Sequence, residues 1–206
     1  MRVLVASRNA KKLRELQRVL DRAGIAGIEL VSLDDVPPYP EAPETGETFE
    51  ANAAAKARDG AAATGLPCVA DDSGLEVEAL RGMPGVLSAR WSGRHGDDEA
   101  NTNLVLGQLR DVPDERRGAA FVSACALVVP SGDGEFVTTV VRGEWRGSIV
   151  REPRGENGFG YDPIFRPEGE ERTSAELTPE EKDAQSHRGR ALAQLVPALS
   201  ALAASA

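Results

Sequence analysis

The chain has 206 residues, 41% of them hydrophobic and 28% charged, with a formal net charge of −9 at pH 7. That length suits one large domain or two small lobes with a substantial core. The negative balance argues against nucleic acid as a partner, and no stretch approaches the ~20 apolar residues of a membrane helix, so no membrane is expected.

In chain order, the strand-like Arg2-Val3-Leu4-Val5-Ala6 carries no signal-peptide pattern. It leads through Ser7-Arg8-Asn9-Ala10-Lys11-Lys12 into an amphipathic helix, with Leu13, Leu16, Val19 and Leu20 at helical spacing and Gly24 where a C-terminal cap belongs. Residues 28–33 read as a second strand, followed by a Pro-rich acidic loop and a second helix opening at residues 44–50. Phe49, Ala53, Ala57 and Ala61 on one face of that helix predict tight packing against a neighbour. Residues 66–70 form the third strand, and this β-α-β-α-β order predicts a parallel or mixed sheet with helices on its faces. Further on, residues 97–109 read as a helix, residues 121–130 and 135–141 as strands flanking the hairpin signal Ser131-Gly132-Asp133-Gly134, and residues 145–150 as an extension of that meander. Thr178-Pro179-Glu180-Glu181 is a capping box with proline at the first helical position. The last helix begins at about Gly189 and contains Pro197, where a kink is expected. Neither a repeat nor a linker long enough to separate independent domains is present, so residues 1–206 read as a single domain of two lobes. Cys68 and Cys125 sit inside apolar runs without metal-ligand or redox spacing, which points to a reducing, cytoplasmic compartment.

Asp71-Asp72-Ser73-Gly74 is the most informative stretch. Side chains alternate along a strand, so two adjacent acids where a strand ends cannot both enter a core. The Ser-Gly that follows permits a sharp turn. Strand, paired acids and tight turn build a magnesium site at the carboxyl edge of a sheet; an ordinary solvated turn is the alternative. Ser7 to Lys12, between strand and helix, offers free N–H groups and a positive helix end to an anion, and only four of the 24 basic residues are lysines, two of them here. The alternative is a helix cap at Ser7 or Asn9 with solvated lysines. Gly155 to Pro163 places Phe159 and Tyr161 among glycines in a chain with nine aromatic residues, which suggests a stacking surface for a planar ring; a structural turn is the alternative. Ser186-His187-Arg188, with Lys182 upstream, supplies donors suited to phosphate or a base edge, or else marks a polar helix start. His95 reads as a loop residue and Trp91 as a packing residue.

Together these segments, with Glu44-Thr45-Gly46, Asn52-Ala53, Lys56-Ala57, Leu75 and residues 84–90, resemble the non-canonical purine nucleoside triphosphate pyrophosphatases, the inosine/xanthosine triphosphatase or Ham1-like family. The resemblance runs from residue 2 to about 195. It implies an elongated, two-lobed α/β structure with a long central mixed sheet flanked by helices, a ligand cleft between the lobes and a homodimeric state. It also implies Mg²⁺-dependent hydrolysis of dITP, ITP and XTP to the monophosphate and pyrophosphate. Carried over by motif, Asp72 would be general base and metal ligand. Ser7, Arg8, Asn9, Ala10, Lys11, Lys12 and Ser73 would hold the triphosphate, and Phe159, Gly160, Tyr161, Asp162, Lys182, His187 and Arg188 would surround the nucleoside. Many relatives carry a metal-binding acid where this chain has Pro43; Glu44 is the nearest substitute. Two rivals are a Maf-like pyrophosphatase acting on modified pyrimidines, and a non-catalytic nucleotide sensor that would need no paired acid.

Overall fold

A computed structural model describes residues 1–132 and 134–205. The strands are β1 (Arg2–Val5), β2 (Glu29–Val31), β3 (Cys68–Val77), β4 (Met83–Pro84), β5 (Gly118–Ser131), β6 (Glu135–Ile149) and β7 (Phe165–Pro167). The α-helices are α1 (Ala10–Arg22), α2 (Phe49–Thr64), α3 (Asp98–Gln108), α4 (Pro179–Gln185) and α5 (His187–Ala204). The strands form one mixed sheet in the order β2-β1-β3-β5-β6-β7, with β4 paired to β3. β1 runs parallel to both β2 and β3, and β3–β4 and β6–β7 are antiparallel. Residues 132–134 between β5 and β6 are too few for a parallel crossover; of the hairpin signal, Asp133 lies outside the described residues.

Two compact units divide the chain. The first comprises Met1–Asp72, Ser123–Gly143 and Arg188–Ala206; the second comprises Ser73–Val122 and Glu144–His187. In the first, Val3, Val5 and Val69 pack with Leu16 and Leu20 of α1 and Leu192, Leu195, Leu199 and Leu202 of α5. α1 ends in a Schellman arrangement: the Ile25 N–H donates to Leu20 O (3.0 Å) and the Gly24 N–H to Asp21 O (3.1 Å), with Gly24 at φ +65°. α2 buries Phe49, Ala53, Ala57 and Ala61 as expected. A Cβ at Gly60 would lie 2.7 Å from Cys68 Sγ and 3.1 Å from Leu4 Cδ2, so only glycine permits this approach of helix to sheet. In the second unit, Leu75, Val77, Val105, Leu109, Trp145, Ile164 and Phe165 form a separate core. The Thr178 capping box is formed, and Pro197 lies within α5.

The second helix begins at Phe49, with Thr48 as its N-cap, inside the segment expected to open it. Two expectations need correction. β6 is one continuous strand through Val141 to Trp145. The third strand does not end at the acid pair: β3 continues through Ser73-Gly74 to Val77, and no sharp turn occurs there. The reason is burial, since Leu75 and Val77 alternate into the second core with no exposed surface. Turn-forming composition is a weak local preference beside two buried apolar side chains.

Candidate active site

The chain passes from the first unit to the second immediately after Asp72. Because Asp71 and Asp72 are consecutive in a strand, their side chains point to opposite faces of the sheet. Each meets its own set of cations. Asp71 Oδ2 accepts from Lys12 Nζ at 2.8 Å and from Arg188 Nη2 and Nε at 3.1 and 3.2 Å. Arg188 Nη1 also reaches Glu15 Oε2 at 3.4 Å. Burial pushes the Asp71 carboxyl up, but Lys12 and Arg188 overcome that and hold it well below the usual carboxylate range. Asp71 is therefore a fixed anion.

Asp72 is set differently. Asn52 Nδ2 donates to its Oδ2 at 2.8 Å, and Lys56 Nζ lies 3.4 Å from Oδ1. Asn52 and Lys56 are four residues apart on α2, hence on one face. Asn52 Oδ1 also accepts from the Gly46 N–H at 2.8 Å, where a Cβ would lie 2.6 Å from that oxygen. This contact pins the loop that carries Glu44, whose Oε1 lies 2.5 Å from Lys56 Nζ. Burial raises the Asp72 carboxyl above its ordinary value; Lys56 and Asn52 oppose the shift and Glu44 adds to it. A carboxylate easier to protonate than its neighbour is the better proton acceptor of the two. Among the described residues no cluster of three His, Cys, Asp or Glu side chains suits a metal ion. Yet Lys56 places one cation between Glu44 and Asp72, and two carboxylates are what a hard divalent ion needs when water and phosphate oxygens complete its shell.

The first loop divides its labour. Asn9 caps α1, accepting from the Lys11 N–H at 2.9 Å, while Ser7 Oγ accepts from the Asn9 N–H at 3.1 Å. Arg8 is exposed and paired with Glu41, Lys11 is exposed 3.9 Å from Glu15, and Ala10 opens the helix. Lys12 alone turns inward. The helix-cap alternative describes Asn9 and fails for Lys12.

In the second unit, Gly158 (φ +83°) and Gly160 (φ +60°) flank Phe159, the most exposed large hydrophobic side chain among the described residues at 69%. Lys182 Nζ stands 5.4 Å from the centre of its ring. Asp162, 1% exposed, organises the loop: it accepts from the Phe159 N–H (2.8 Å), Ser174 Oγ (2.7 Å) and Lys182 Nζ. Tyr161 offers no ring face, being buried in the core with its hydroxyl donating to Ser88 O at 2.8 Å. His187 stacks on Phe121 with ring centres 5.2 Å apart. Ser73 belongs to this unit as a half-buried residue of β3. Arg188, expected near the nucleoside, pairs with Asp71 and Glu15. Trp91 packs against the core and His95 is an exposed loop residue, as their surroundings in sequence suggest.

Nothing in the local sequence assigns a role to Lys56, Asn52 or Glu15. Lysine scarcity was the available signal: Lys12, Lys56 and Lys182 all contact aspartates.

A profile of the Ham1 family matches residues 3–198. The chain is 75% identical over 202 residues to a dITP/XTP pyrophosphatase of Nocardia farcinica, covering 98% of this chain and 96% of that one. The crystal structure of a nucleoside-triphosphatase, dITP/XTP pyrophosphatase, from Mycobacterium abscessus superposes with a TM-score of 0.82 at 71% identity, covering 97% of this chain and 100% of that one. A HAM1 protein of Coxiella burnetii gives a TM-score of 0.86 at 42% identity over 98% and 99% of the two chains. With its mixed sheet, its paired acids and matches of this extent, the chain belongs to the Ham1 family.

Proposed function

We propose that this chain is a nucleoside triphosphate pyrophosphatase that hydrolyses dITP, XTP and ITP to the monophosphate and pyrophosphate, cleansing the nucleotide pool in the cytoplasm as a Mg²⁺-dependent homodimer. The observation that carries the reading is the Asp72–Lys56–Glu44 cluster, supported by relatives named for hydrolysis of dITP and XTP. Hydrolysis between the α- and β-phosphates needs an oriented water, an acceptor for its proton and compensation of charge on the phosphate oxygens. Asp72 accepts the proton, its carboxyl raised by burial toward a more basic value while Asn52 fixes its orientation. Mg²⁺, held by Asp72 and Glu44, would neutralise phosphate charge and orient the anhydride when bound. Lys12 brings positive charge held in place by Asp71, with Ser7 to Lys11 and Ser73 as further phosphate partners.

Phe159 stacks on the base, and Lys182 and His187 face its polar edge. Hypoxanthine and xanthine present a 6-oxo acceptor where adenine presents an amino donor. Buried donors left facing that amino group discriminate by up to about 10⁴-fold. The test is incubation with dITP, ITP, XTP, ATP and GTP, with and without Mg²⁺. Pyrophosphate released selectively from the first three in Mg²⁺ is the expected result. Orthophosphate, or no turnover at all, would sink the reading.

A further inference from the structure

Gly160 is gripped at both of its backbone polar groups by one helix. Its N–H donates to Asp98 Oδ2 at 2.8 Å, and its carbonyl accepts from the Thr102 hydroxyl at 3.3 Å. Asp98 and Thr102 are the first and fifth residues of α3, one helical turn apart and therefore on the same face. The preceding amide, that of Phe159, is held by Asp162. Two carboxylates thus bind consecutive N–H groups on either side of the exposed ring. The glycines make this possible: a Cβ at Gly158 would lie 2.1 Å from Asp162 Oδ2, and Gly160 sits at positive φ. Buried Tyr161 follows at once, its hydroxyl on Ser88 O. An aromatic side chain left 69% exposed gains little from packing beyond the Lys182 contact, so its direction depends on the backbone beneath it.

We propose that Asp98 and Thr102 are positioning residues that hold the Phe159 ring as a preformed platform for the purine base; this rests on the reading that Phe159 stacks on that base. In this role Asp98 acts through the loop and not on the substrate itself. It lowers the cost of binding by ordering the loop before the nucleotide arrives. A free loop would have to be ordered by each incoming nucleotide, so loosening it weakens binding and leaves the hydrolytic step at saturation unchanged.

The test is steady-state hydrolysis of dITP in Mg²⁺ by Asp98→Ala, Asp98→Asn, Thr102→Val, Glu99→Ala and Phe159→Ala, with amide exchange of the peptide containing Gly160. Phe159→Ala should raise KM about tenfold, the effect of losing one stacking contact. Asp98→Ala and Thr102→Val should each raise KM roughly three- to tenfold with kcat within about twofold, because they remove preorganisation alone. Asp98→Ala should also speed exchange at Gly160. Asp98→Asn, which keeps an acceptor oxygen, should stay within about twofold of the parent in KM. Glu99→Ala removes the other acid of the same helical turn without touching the loop and should leave KM unchanged. If Asp98→Ala leaves KM and Gly160 exchange unchanged while Phe159→Ala raises KM, the positioning role is wrong and stacking survives. An equal rise in Glu99→Ala would assign the effect to charge at the helix start and overturn the proposal. If Phe159→Ala leaves KM unchanged, stacking fails and the positioning role fails with it.

Discussion

In the first unit the side chains of the candidate site are held by other side chains, through ion pairs as distant in sequence as Arg188 and Glu15, 173 residues apart. In the second unit the Phe159 loop is held through its backbone, by carboxylates that accept from Phe159 and Gly160 N–H groups. The difference suits the function proposed for each region. Hydrolysis needs charges of defined basicity, and only neighbouring charges and burial tune a carboxyl. A stacking platform needs a fixed direction, which a backbone clamp supplies without charging the ring. Asp71 and Asp72 make the same contrast within two residues: burial opposes the ionised form of both, and only Asp71 has cations enough to reverse it.

The sharpest way to break that contrast is Asp72→Asn, which should lower kcat by about 10²- to 10⁴-fold. Its melting temperature should hold or rise, because the ionised carboxylate of a group with a raised pKa opposes folding at neutral pH. Substantial turnover by this variant would remove Asp72 from the base role. Asp71→Asn should do the reverse, costing about 3 kcal/mol in denaturant unfolding because Lys12 and Arg188 lose their shared anion. Phe159→Ala should raise KM about tenfold if the ring stacks on the base as proposed, and change stability little, since an exposed ring adds little to the core.

Acid sharpens the comparison further. Asp71 has a depressed pKa, so its contribution to stability is complete above its ordinary value near pH ~4 and is lost as pH falls through that value and below. Urea midpoints measured from pH 5 downwards should therefore fall less steeply in Asp71→Asn than in the parent. The smallest expected effect is a silence. Cys68 and Cys125, both in the first unit, are fully buried, and burial pushes each thiol up to about 12. At pH 8 only about one in 10⁴ is thiolate, so iodoacetamide should label neither until the first unit unfolds. Labelling at native-state rates would show that unit opening locally.

Much of the fold is legible in short stretches of the chain. The Thr178 capping box, the Gly24 helix end and the alanine face of α2 depend on residues within one or two turns of one another, and each forms as its local chemistry dictates. The site was legible by residue type more than by role. Asp72 and Glu44 meet around Lys56. Tyr161 looked like half of an aromatic platform and is a core residue instead, because only the tertiary environment tells an exposed ring from a buried one. The pairing of Arg188 with Asp71, 117 residues away, is not legible in either segment. The Asp98–Gly160 contact spans 62 residues, and nothing in either segment's local composition announces it.

The Thr178 capping box, the Gly24 helix end, the apolar faces of α1 and α2 and the place of two adjacent acids between an apolar run and a Ser-Gly follow from neighbouring residues alone. Tertiary structure alone decided that β3 runs on past those acids, because burial of Leu75 and Val77 outweighs a local turn preference. It also decided which acid is held ionised and which is raised toward the base role proposed for it. A carboxyl's basicity depends on the charges within a few ångströms, and those charges come from α1, α2 and α5, helices that only folding brings to one strand.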